Sequence, residues 1–285
     1  MASAKGMGVS RWPGLAVLAW VLSAAGAVAA APSVEIRHAA ARVVVIPEPR
    51  RDVAIAVLPS RRLPLRVSHF VGRSYVDGNV NRRVKGCRMV AGKPVVSITG
   101  LGDVAYADLP EVVIHTPMEV KLTVGEAVFG SIGRSDSLVL ANAGCGDWTI
   151  ANVTGRMEIS QTGSGDTRTG TAGSALLRIS GSGDIATKAL RGGLQAVSTG
   201  SGGIRVSQVD GPLDIKVVGA GDVRAQDGQV GAMKVSIAGA GGVEFGGVAQ
   251  SLDASIIGSG GVRVARVTGP VTRHLLGAGA VHIGP

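Results

Sequence analysis

Four aspartates stand at equivalent places in a glycine-rich repeat, and stacked carboxylates can do chemistry. Asp147, Asp166, Asp184 and Asp222 each follow a Gly-small-Gly triplet. Piled on one face, they could hold calcium between layers or serve as acid and base on a polysaccharide. Two features argue for turn chemistry instead. Gly203, Gly242, Gly261 and Ala280 replace the aspartate in the other copies, whereas calcium-binding nonapeptide solenoids carry it in every turn. Aspartate also bonds local backbone groups in turns.

Other chemistry finds no support in the spacing. The histidines at 38, 69, 115, 274 and 282 lack metal-ligand intervals. No helix follows the Gly-Ser-Gly triplets, so they do not read as phosphate loops. From Gly163 onward Phe245 is the only aromatic residue, which leaves few platforms for sugar stacking. The expectation is a protein that is no enzyme, with no cofactor, metal site or catalytic residue.

Charge is the stronger functional signal. The formal net charge is +9, and residues 32–100 alone carry 13 Lys+Arg against 4 Asp+Glu. That segment includes Arg50, Arg51, Arg61, Arg62, Arg82, Arg83, Lys85 and Arg88. Such a cluster suits a polyanion, either an anionic envelope glycan or lipopolysaccharide phosphates. The plainer reading is a solubilising surface that protects an irregular solenoid end. No nucleic-acid-binding motif is present, and nucleic acid is not an expected partner.

The elements that carry these residues come from the repeat. Triplets begin at Gly144, Gly163, Gly181, Gly200, Gly219, Gly239, Gly258 and Gly277, at intervals of 18 to 20 residues. Two residues past each triplet comes an inward-reading position: Trp148, Thr167, Ile185, Ile204, Val223, Val243, Val262 and Val281. A second set follows two residues on, from Ile150 to Ile283, with the strand period of two. A further glycine turn and a second alternating run, such as residues 213–217, complete each unit. One unit cannot bury its apolar face alone, but stacked units can. This predicts an all-β fold, a single-stranded parallel β-helix of roughly 19-residue coils, with the triplet glycines as structural corners. The Ser, Ala or Cys inside each triplet is expected to point inward.

Upstream the strand grammar persists without the triplet. Residues 31–108 read as irregular, basic early coils with a long loop at residues 68–93, or alternatively as a separate small β-domain, and 109–285 as the regular helix. Residues 1–30 read as a cleavable signal peptide: Lys5 and Arg11, an apolar stretch over 15–28, then Ala27-Val28-Ala29. The expected location is therefore periplasmic or secreted, without a membrane anchor. Cys87 and Cys145 are the only cysteines. In an oxidising compartment they could pair; Cys145 could equally be a small side chain in a slot that holds Ser or Ala elsewhere.

Stretches such as Gly181-Ser182-Gly183-Asp184, Gly219-Ala220-Gly221-Asp222 and Ala127-Val128-Phe129-Gly130-Ser131-Ile132-Gly133 resemble the bacterial head GIN domain family. The resemblance implies a right-handed parallel β-helix in exported proteins with an adhesin-like role, and no catalytic residues to carry over. The expected function is thus a non-catalytic envelope structural or adhesin-like binding module. The alternatives are a carbohydrate-active β-helix enzyme and a scaffold that self-associates through solenoid ends, where unpaired strands invite pairing.

Overall fold

The computed structural model describes residues 32–58 and 60–284, so the signal peptide expected at 1–30 lies outside the described residues. The chain is a parallel β-solenoid of about nine coils of about 19 residues. Two long ladders form its main walls. On the first, Val43, Gly130, Trp148, Thr167, Ile185, Ile204, Val223, Val243, Val262 and Val281 stack in unbroken parallel register. On the second the column runs Val34, Leu122, Leu140, Ile159, Leu177, Ala196, Ile215, Val235 and Ala254. Alternate side chains point inward on both walls and merge into one core, which is why the period-two pattern repeats coil after coil.

A third, short ladder closes each coil. Leu190 pairs with Val209, Val230 with Ala249, and Ala249 with Val267. Only one inward residue per coil marks this wall, so the sequence shows it merely as the glycine turn between two strands.

The largest buried side chain illustrates how the coils interlock. Trp148 is fully buried, and its indole Nε1 donates to the Val128 carbonyl at 3.0 Å. The coil below supplies Gly130, where an added Cβ would lie 2.5 Å from the indole ring. Buried polar side-chain atoms find hydrogen-bond partners, Ser135 Oγ being the exception among the described residues. Thr167 Oγ1 donates to Gln161 Oε1 at 2.6 Å, and Thr169 Oγ1 to Thr187 Oγ1 at 2.7 Å.

The early region departs from a run of irregular coils joined by a long loop. The strands Ser33–Arg37 and Ala40–Pro47 form a regular coil that pairs with Glu119–Ile132. Outside it lies a coil assembled from two separated segments, Arg73–Asp77 and Glu111–Thr116. Antiparallel strands Arg66–Phe70 and Ala54–Leu58 then cover that outer coil, and Ile55, Val57 and Leu65 pack on the core. This end is closed. Residues 68–93, read from sequence as a loop, instead contain strands Arg73–Asp77 and Val84–Val90.

Between the two segments of the outer coil, residues 84–105 fold into a separate antiparallel sheet: Val84–Val90, Lys93–Ile98 and Gly102–Ala105. Its apolar face meets Ala127 and Phe129 in a second core with Val96, Ile98 and Val104. Tyr106 stands edge-on to Phe129, with ring centroids 5.5 Å apart. A disulfide between Cys87 and Cys145 ties this sheet to the first triplet corner.

Candidate functional site

The triplet corner explains itself through backbone geometry. Gly239, the first glycine of its triplet, has φ +136°, a conformation that L side chains rarely adopt. Gly241, the third, lies so close to the coil below that an added Cβ would fall on the Gly221 carbonyl oxygen. Gly144, Gly163, Gly181, Gly200, Gly219, Gly258 and Gly277 likewise sit directly over the preceding coil's backbone. The middle residue differs from expectation. Ser164, Ser182, Ser201, Ala220, Ala240 and Ser259 are exposed rather than turned inward, because alternation sends the residue between two inward-packed glycines to the outside.

The aspartates after the triplets bind the next coil. Asp147 Oδ1 accepts the Asp166 N–H at 2.8 Å, and Asp166 Oδ1 accepts the Asp184 N–H at 3.0 Å. Asp184 Oδ1 accepts the Gly203 N–H at 2.8 Å. In the same way Asp222 Oδ1 accepts the Gly242 N–H at 2.9 Å. Each carboxylate therefore staples one layer to the next. Three of the four also meet arginines: Arg205 reaches Asp184 at 2.6 Å, Arg168 reaches Asp166 at 3.5 Å and Arg224 reaches Asp222 at 3.8 Å. Burial pushes the Asp184 carboxyl up, but the Arg205 guanidinium and the Gly203 N–H outweigh it and hold the group below its ordinary value.

The eight early cations divide into separate groups. Arg50 is engaged by Glu48 at 2.8 Å and Asp52 at 3.1 Å, and these carboxylates raise its pKa. Arg88 is paired with Asp103. Arg51 follows Arg50 along the chain, away from the others. Two of the remaining five reach one turn. Arg62 Nη2 donates to the Leu101 carbonyl at 2.9 Å, and Arg83 donates through Nε and Nη2 to the Thr99 carbonyl at 3.1 and 2.9 Å. Two chain segments are thereby pinned to the turn at residues 99–102, and Arg61, Arg82 and Lys85 lie next to the anchors along the chain. Those three are exposed and meet no carboxylate within ion-pair distance among the described residues. The Arg62 and Arg83 anchor contacts are invisible in sequence, because their acceptors are backbone carbonyls.

Among the described residues no group of three potential metal ligands occurs, and no helix is long and apolar enough to cross a membrane. No curated protein matches the sequence. Among solved structures, the chain is similar to one described as a "putative adhesin" from Bacteroides fragilis NCTC 9343. The two share 12% identity over 89% of this chain and 92% of that one, with a TM-score of 0.42. The family described as "Putative auto-transporter adhesin, head GIN domain" matches residues 101–266. With more than half of its length so matched, the chain belongs to the head GIN domain family.

Proposed function

We propose that the protein is an exported, non-catalytic adhesin-like module that holds anionic glycan, such as lipopolysaccharide phosphates, at its closed end. The observation that supports this reading is that Arg62 and Arg83 both bond the turn at residues 99–102, close along the chain to the exposed Arg61, Arg82 and Lys85. Arg62 and Arg83 are spent on carbonyls and fix the geometry. Their neighbours then present positive charge that no carboxylate among the described residues neutralises, and guanidinium groups suit the oxyanions of phosphate and carboxylate. Family membership supports the adhesin-like role. The non-catalytic reading is supported by the aspartates, each of which accepts a backbone N–H of the next coil.

Retention on heparin and lipopolysaccharide resins tests this. Binding should weaken as salt rises, because exposed charge interactions are screened within about 10 Å at 0.1 M ionic strength. Arg61→Gln/Arg82→Gln should elute several-fold earlier in the gradient. Salt-insensitive retention, or none, would remove the polyanion reading.

A further inference from the structure

A second cationic site lies on the flank of the solenoid, away from the closed end. A groove of about 340 Å³ opens on the first wall, lined by Arg134, Arg168 and Lys188 with Thr149, Asn152 and Gly170. The three cations come from three of four stacked levels, with Thr149 and Asn152 on the level between Arg134 and Arg168. Arg134 follows the strand Glu119–Ile132, Arg168 lies on Thr167–Thr169 and Lys188 on Ile185–Leu190.

Charge balance separates this groove from the rest of the wall. The outward column runs Thr149, Arg168, Ala186, Arg205, Arg224, Glu244 and Arg263. Farther up, Arg205 is held by Asp184, and Arg224 lies 3.4 Å from Glu244. At the groove, only Arg168 has an acidic neighbour, Asp166 at 3.5 Å, and exposed pairs of that kind contribute little. Arg134 and Lys188 meet no carboxylate within ion-pair distance among the described residues, and no carboxylate lines the groove.

The floor is kept open and polar. A side chain at Gly170 would collide with Asn152 Oδ1. That oxygen accepts the Thr171 N–H at 3.1 Å, which fixes the amide and leaves its Nδ2 as a donor. No exposed large hydrophobic residue lines the rim, so a lipid bilayer is a poor fit. The volume falls at the small end of ligand pockets, about 300–1,000 Å³.

We propose that this groove binds one acidic sugar residue of a glycan, its carboxylate or sulfate held by Arg134, Arg168 and Lys188 and its hydroxyls by Thr149 and Asn152. The site does not depend on the closed-end cluster. Calorimetric titration of the purified protein with digalacturonate, a sulfated heparin disaccharide and inorganic phosphate tests it, the first two separating carboxylate from sulfate. At least one disaccharide should bind, and Arg134→Gln/Lys188→Gln should weaken it tenfold or more. Lys188→Arg should retain binding, and Arg61→Gln/Arg82→Gln should leave it unchanged. Absence of binding, equal affinity for inorganic phosphate, loss in Lys188→Arg, or an unaffected groove variant would each overturn the proposal. Loss confined to Arg61→Gln/Arg82→Gln would also overturn it while leaving the closed-end reading intact; loss confined to the groove variant supports it, and the closed-end reading stands or falls separately on resin retention.

Discussion

Replacing Gly241 by alanine should damage the solenoid far more than any change at the adjacent Ala240. The new Cβ would land on the Gly221 carbonyl oxygen and lie 2.7 Å from Val217 Cγ1, where ordinary contact begins near 3.4 Å. Neither obstacle is a flexible side-chain tip. Relief requires the corner to lift from the coil below, yet Ala240 and Gly241 both donate to the Gly219 carbonyl, at 2.9 and 3.0 Å. Loosening those two bonds costs about 1 kcal/mol each, and forced overpacking adds about 1–3 kcal/mol. The sum is about 3–5 kcal/mol. A domain of this size loses about 2–4 °C of Tm per kcal/mol, so the melt should fall by roughly 6–20 °C. Ala240→Ser changes only an exposed side chain and should stay within about 0.5 kcal/mol of the parent. Thermal melts by circular dichroism at pH 7 decide the matter. A Gly241→Ala melt within about 2 °C of wild type would refute the stacking role of the third glycine.

Asp184→Ala removes the acceptor of the Gly203 N–H and the partner of Arg205, and should cost about 1–2 kcal/mol in denaturant titrations. The folded pKa of Asp184 is depressed, so its contribution is full above the unfolded value near 4 and fades as pH falls through the lower folded value. The wild-type advantage over Asp184→Asn should therefore shrink in acid melts, and an advantage that grew below pH 4 would contradict the assignment. Reducing Cys87–Cys145 opens a link across a sequence separation of 58, worth up to about 4 kcal/mol by loop-closure entropy. Hydrogen exchange should then speed up in residues 84–105 before the regular coils, and uniform acceleration along the chain would argue against a local staple.

How much of this was legible in the sequence follows from the range of each interaction. The columns from Trp148 to Val281 could be read directly, because each coil repeats the same apolar positions one layer apart. The corner glycines were equally plain. The outward turn of Ser182 or Ala240 was not, since a small residue fits either side of a wall and only the alternation around it decides. The aspartates looked like local turn residues because the group they bind, the N–H one coil away, carries no side-chain signature. The early region was least readable. Its outer coil joins residues 73–77 to 111–116 across an inserted sheet, and no period records a pairing between Val43 and Val112. The cation cluster was visible as composition, but its focus on one turn depends on Arg62 and Arg83 reaching backbone carbonyls.

The central claim is that the most conspicuous motif builds the fold while ligands meet the cationic surfaces elsewhere. Hydrogen exchange of the protein with and without a bound heparin oligosaccharide tests it most directly. The account predicts protection at residues 61–62, 82–85 and 99–102 and along the groove of Arg134, Arg168 and Lys188, with the corners at 219–221 and 239–241 unchanged. Protection centred on those triplet corners, with the cationic surfaces unaffected, would contradict it.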